Sequence, residues 1–200
     1  CFDLIVSFVG SGADLPAADR EEAIDDICSN IIIRDSREYN VYLGETDTVM
    51  RAIEENTPYY RMYSVDTLMR ASDYASLREM LGYPPAEFSP DQYLIHCQPY
   101  VADALKGWDG SVTAGGHTLF PGGIYTEVFA QHYWNVNGRD YILIVPDEAA
   151  EACPVSHHMY VAKTAEPVSE AQQQELERMR ERVEEENSGV DIVMFVRSEA

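Results

Sequence analysis

The sequence predicts an α+β fold, and three patterns carry that prediction. The chain opens on a β-α-β unit: an apolar run at 2–9, a glycine turn, an amphipathic helix, and a second strand within 32–43. The same order returns at the end, with an extended run at 158–163, a charged helix from Ser169, and a closing strand at 191–197. Between them, helical and strand periodicities alternate under Gly and Pro punctuation, with no low-complexity linker. Two β-α-β units that bracket a chain can close into one four-stranded sheet with two helices on a face, the split β-α-β (ferredoxin-like) arrangement. The expected organisation is a single domain, 1–200, with one lobe built from 1–44 and 156–200 and a mixed α/β lobe inserted at 45–155.

Each element has a local reason. Gly10 and Gly12 turn the chain after the first strand, and Pro16 suits the first turn of a helix. Ala23, Ile24, Ile27 and Cys28 share one face of that helix, with acidic residues opposite. In the insertion, a helix is expected near 47–55 and a strand near 59–65. A helix at 72–81 follows, stopped by Gly82 and Pro84-Pro85. A strand at 92–97 and short β-segments near 111–120 come next. Asn137-Gly138 supplies the positive φ angles of a two-residue hairpin turn. The continuous apolar run at 141–145 after it reads as a strand covered on both faces, with a short helix beyond. Ser169 and Gln172 form a capping-box pattern. Leu176, Met179 and Val183 make the apolar stripe of the helix they start. Glu175–Arg178 and Glu177–Arg180 are spaced to pair on its exposed side.

Composition narrows the function. Hydrophobic residues make up 46% of the 200, enough for a packed core. The formal net charge of −21 repels phosphate backbones, so nucleic acid is not an expected partner. It favours cationic peptides, polyamines or metal cations. No apolar run is long enough to span a bilayer, and no basic n-region marks a signal peptide. A chain that starts abruptly in a strand is what an excised fragment of a longer protein looks like. Cys1 could also be the lipidated first residue of a lipoprotein, although 2–6 offers no polar tether. Cys1, Cys28, Cys97 and Cys153 form no CxxC pair. A Cys1–Cys28 disulfide is conceivable, because the first helix returns toward the start of the first strand.

No catalytic, cofactor or metal constellation stands out. Gly10-x-Gly12 lacks the third glycine of a dinucleotide loop, Leu15 standing in its place. His157-His158 on a strand point to opposite faces, and His96-Cys97 is poor geometry for a catalytic dyad. There is no GxSxG and no SxxK. The expectation is therefore no enzyme, no cofactor and no metal. The aromatic supply is richer, and Tyr59, Tyr60, Tyr133 and Trp134 are the candidate recognition surface, against the alternative that such rings merely pack in strands.

Three segments, MRASDYASLREMLG at 69–82, QYLIHC at 92–97, and 124–148 with TEVFAQ and NGRDYILIVPDE, resemble the extracytoplasmic domain of FtsX-like ABC transporter permeases, the group that includes MacB and BceB. The opening FDLIVSF and closing VDIVMFVRSEA fit strands that leave and rejoin membrane helices, so the resemblance spans nearly the whole chain. HYWNVN at 132–137 and the four cysteines depart from the family pattern. The resemblance implies a membrane-proximal lobe, a distal inserted lobe, and no catalysis in this domain. It places the chain at the extracytoplasmic face of the cell membrane. Its partners would be the membrane helices of the same permease, a cytoplasmic ATPase subunit acting through them, and a cationic peptide or lipid-like substrate. Two alternatives stay open: a secreted or lipid-anchored binding protein, and a hydrolase with dispersed site residues, which would need a deep pocket where a carboxylate, His or Cys converge.

Overall fold

The computed structural model describes residues 1–57, 65–129 and 140–197. In chain order the elements are β1 (Leu4–Val9), α1 (Ala17–Ile27), β2 (Ile33–Leu43), α2 (Thr48–Asn56), β3 (Thr67–Arg70), α3 (Ala71–Leu81), β4 (Gln92–Cys97), α4 (Pro99–Ala104), β5 (Val112–Ala114), β6 (His117–Tyr125), β7 (Tyr141–Val145), α5 (Asp147–Glu151), β8 (Val155–Thr164), α6 (Glu170–Glu186) and β9 (Asp191–Val196). The fold is α+β. The chain divides into two compact units, one made of Cys1–Tyr39 with Ser156–Ala200, the other of Asn40–Val155. The first boundary falls inside β2, a few residues before the expected end of the first segment at 44.

The unit formed by both chain ends has the strand order β2-β8-β1-β9. β1 lies antiparallel between β8 and β9, with Val6 opposite Tyr160 on one side and Met194 on the other. This is the split β-α-β arrangement. Leu4, Val6 and Phe8 point into a core closed by Ile24 and Ile27 of α1 and Leu176 and Val183 of α6. Each such side chain stabilises the fold by roughly 1.5–3 kcal/mol through burial. The capping box forms: Gln172 N–H donates to Ser169 Oγ at 3.3 Å, and Ser169 N–H donates to Gln172 Oε1 at 3.0 Å. Arg178 pairs with Glu175, and Arg180 with Glu177 and Glu184.

Three details of this unit differ from expectation. The glycine turn is a 3-10 helix at Gly10–Asp14, and Pro16 is the N-cap of α1 rather than its first-turn residue. A Cβ on Gly12 would sit 3.1 Å from the Asp191 carbonyl oxygen, so this glycine serves close packing. The four cysteines are free, so the Cys1–Cys28 disulfide is not made. Arg197 Nη1 donates to Cys1 Sγ at 3.3 Å, while Cys28 packs against the apolar core beside Tyr160.

The unit of Asn40–Val155 contains a mixed sheet in the order β5-β6-β4-β7-β3-β2. β7 is buried at all five positions. Tyr141, Leu143 and Val145 face a core with Val49 and Ile53 of α2, Val101 of α4 and Ala149 of α5. Ile142 and Ile144 face the other way, toward α3. The continuous apolar run thus fits a strand covered on both faces. β7 pairs parallel with β3 and antiparallel with β4. Asn137-Gly138 itself lies outside the described residues, as does 58–64. The strand expected at 59–65 falls almost wholly on those residues, and β3 at Thr67–Arg70 follows them. The helix Pro99–Ala104, with Pro at its start, has no counterpart among the expected elements. Gly82 caps α3 at φ 75°, as its position after the apolar stripe implies.

Candidate functional site

The described residues bury six polar or charged side chains almost completely, and four of them, Asp66, Thr67, Arg78 and His96, belong to the inserted unit. Asp66 anchors one polar centre, and Arg78 with His96 a second. At the first, α2 begins at Asp47, whose side chain turns to Arg51 at 2.8 Å instead of capping the helix. Asp66, just before β3, caps it from outside. Its carboxylate accepts from Val49 N–H at 3.1 Å and Met50 N–H at 3.0 Å, two donors that the helix itself cannot satisfy. Tyr141 of β7 donates its hydroxyl to the same carboxylate at 2.5 Å. The Asp66 carbonyl accepts from Gly44 N–H at 2.8 Å, and a Cβ at Gly44 would stand 2.7 Å from that oxygen.

The second centre joins α3, β4 and the segment after β6. Tyr74 and Arg78 are one helical turn apart on the buried face of α3, and His96 points toward them from β4. His96 Nε2 lies 2.9 Å from the Glu127 carbonyl oxygen, which can only accept, so the ring carries its proton there. Nδ1 is then the acceptor, and Tyr74 donates its hydroxyl to it at 2.5 Å. Arg78 Nη1 donates to the Tyr74 oxygen at 3.1 Å, its Nη2 to Glu127 Oε1 at 2.8 Å, and its Nε to the Pro84 carbonyl at 2.7 Å. The guanidinium, 2% exposed, lies 4.9–5.5 Å from the ring centres of Tyr74, Tyr83 and Tyr125. Phe129 stacks obliquely on His96 at 4.6 Å, and Tyr83 donates to the Val128 carbonyl at 2.6 Å.

The charges in this centre hold one another. Arg78's hydrogen bond keeps the Glu127 carboxyl below the usual carboxylate range. Burial works against Arg78's charge, but Glu127 and Tyr74 outweigh it and the net shift is upward. Burial drives the Tyr74 hydroxyl far above the ordinary phenol. Chemically the centre is a clamp. Both imidazole nitrogens and three guanidinium nitrogens are engaged; His96 Nε2 and Arg78 Nη2 hold Glu127, and the others tie Tyr74 and Pro84 into the same centre. The buried thiols are poor nucleophiles, since burial pushes Cys28 and Cys97 up to about 12.

Three surface clefts can be described. One runs along α6, about 480 Å³, lined by Glu170, Gln173, Glu177 and Arg178 among others. A smaller one, about 160 Å³, lies between α1 and α6 over Asp19, Glu22, Asp26 and Glu186. A third, about 440 Å³, joins the ends of α2 and α4 at Asn56, Tyr100, Asp103 and Lys106. No His or Cys lines any of these three. Among the described residues no three His, Cys, Asp or Glu gather in a way that could hold a metal ion, and no helix is long and apolar enough to cross a membrane.

The recognition candidates Tyr59, Tyr60, Tyr133 and Trp134 all lie outside the described residues. Among the other residues singled out, His157 and His158 sit on β8 opposite Val9 and Phe8 of β1, and His158 Nε2 is 3.4 Å from Glu38. His96 and Cys97 face opposite sides of β4, the thiol entering the apolar core. Sequence reasoning missed Arg78, Glu127 and Asp66. A signal existed for Arg78: Tyr74, Leu77, Arg78 and Leu81 follow helical spacing, which puts an arginine on the apolar face.

No family model and no curated protein matches the chain. The fold is similar to the crystal structure of a candidate lipoprotein from Bacillus anthracis, with a TM-score of 0.51 and 12% identity, covering 98% of each chain.

Proposed function

We propose that this chain is a non-catalytic binding module displayed outside the cytoplasm, secreted or anchored by lipid. The observation that carries this reading is the likeness to a candidate lipoprotein along 98% of both chains. The chemistry agrees with it, because the buried ionisable groups engage one another rather than an open cleft. A net charge of −21 gives such a module a preference for cationic peptides or lipid-like cations. An anchored form would use Cys1, whose Sγ accepts from Arg197 Nη1 at 3.3 Å.

One observation favours a second reading, the outer domain of an FtsX-like permease. β1 and β9 lie side by side, and Arg197 N–H donates to the Asp3 carbonyl at 2.8 Å, so both ends leave the domain together. A domain looped out between two membrane helices needs that geometry. Its partners would then be those helices and, through them, a cytoplasmic ATPase.

Expression of the complete coding sequence with labelled palmitate, followed by carbonate extraction, separates these readings. Label that disappears in Cys1→Ala supports the anchored module, and release into the medium supports the secreted one. Carbonate-resistant, unlabelled protein supports the permease. Recovery in the cytosol overturns all three.

A further inference from the structure

The outer edge of β9 differs from the other strand edges. β5 is three residues long, and β6 beyond it carries Pro121 and a register shift. The part of β2 before its short pairing with β3 carries Arg34, Asp35, Arg37 and Glu38. Short strands, proline, irregular register and charge are the means by which proteins blunt sheet edges. β9 has none of them between its ends. Ile192 to Val196 is apolar throughout, its register with β1 is unbroken over six residues, and Val193 to Val196 are half-buried.

The hydrogen-bond directions can be assigned. Arg197 N–H donates inward, to the carbonyl of Asp3, the residue just before β1. By alternation the backbone groups of Ile192, Met194 and Val196 point outward. Ile192 N–H is taken by Glu184 of α6 at 2.8 Å. The outward groups of Met194 and Val196 meet no strand among the described residues. The apolar run is closed by Asp191 at one end and Arg197 at the other. When such a strand meets its own copy antiparallel, centred on Met194, Asp191 of each copy falls opposite Arg197 of the other.

We propose that β9 is a self-association edge, through which two copies of this chain pair antiparallel about a two-fold axis and join their end-built sheets. The interface is isologous, as two-fold pairing requires, and its backbone bonds come from Met194, Val196 and the Ile192 carbonyl. The end charges set the register. A strand-only interface is small, so the dimer is weak, with dissociation in the range of roughly 10–500 µM expected of small interfaces.

Sedimentation of the full chain across that range, at about 0.15 M salt to screen the overall negative charge, tests the proposal. Wild type should show a concentration-dependent dimer. Asp191→Arg and Arg197→Asp should each weaken it about tenfold, since each places like charges at both ends. Mixed together, the two variants should form a heterodimer near wild-type strength, because both opposite-charge pairs are restored. Met194→Pro, with folding checked by circular dichroism, should abolish the dimer. A wild-type chain that stays monomeric throughout, or charge variants that do not recover on mixing, would overturn it. The mixing arm needs only surface substitutions, so it holds even if Met194→Pro unfolds the chain.

Discussion

The two units reach stability by different means. The end-built unit closes a nearly all-apolar core beneath two helices whose charges stay outside. The inserted unit buries an aspartate, an arginine and a histidine, and each is matched by partners far along the chain. An apolar core tolerates small losses gradually. A buried polar centre loses one member and leaves the others unsatisfied. Damage of equal size in sequence should therefore cost the inserted unit more.

That contrast can be broken at its strongest point first. Arg78→Ala removes the charge that holds Glu127, Tyr74 and Pro84, and should lower stability by about 3–5 kcal/mol. Urea unfolding measures the loss. Hydrogen exchange should place it in α3 and β4 while β1 and β9 keep their protection; equal loss in both regions would erase the distinction. Asp66→Ala strips α2 of its external cap and Tyr141 of its acceptor, and about 2–3 kcal/mol should follow by the same measurement. In the other unit, Ser169→Ala breaks the capping box of α6 at a cost of about 1 kcal/mol. A Ser169 variant that destabilises more than the Asp66 variant would reverse the ranking.

The smallest effect is a pH slope. Glu127 titrates below its unfolded value because Arg78 donates to it. A depressed carboxyl adds stability that is fully present above the unfolded value, about pH 4.3, and is lost as pH falls through the folded one. Thermal unfolding of Glu127→Gln should show a shallower decline than wild type below about pH 4.3. Parallel acid limbs would show that the clamp does not depend on this charge.

The same contrast explains what could be read in advance. The end-built unit is written in local signals: periodicity, a Ser169–Gln172 box, glycines at turns, and helix pairs three and four apart. The inserted unit is not. Asp66 caps a helix through donors 17 and 16 residues away, and Arg78 meets Glu127 across 49 residues. Periodicity shows that 141–145 is covered on both faces, but pattern carries no information about which strands flank it. Its neighbours, β3 and β4, lie far upstream in the chain. The recognition candidates fall outside the described residues, so the site found is one that the sequence does not single out.

The placement of β1 sets an order of events during synthesis. Of the nine strands among the described residues β1 leaves the ribosome first, yet its two neighbours, β8 and β9, leave last. At about 5–20 residues per second, the segment LIVSFV waits on the order of 10–40 s for its partners. During that time it is an unpaired apolar strand with two open sides. The nascent chain should thus need a holding chaperone at this strand, and the end-built sheet should assemble only once β9 has emerged.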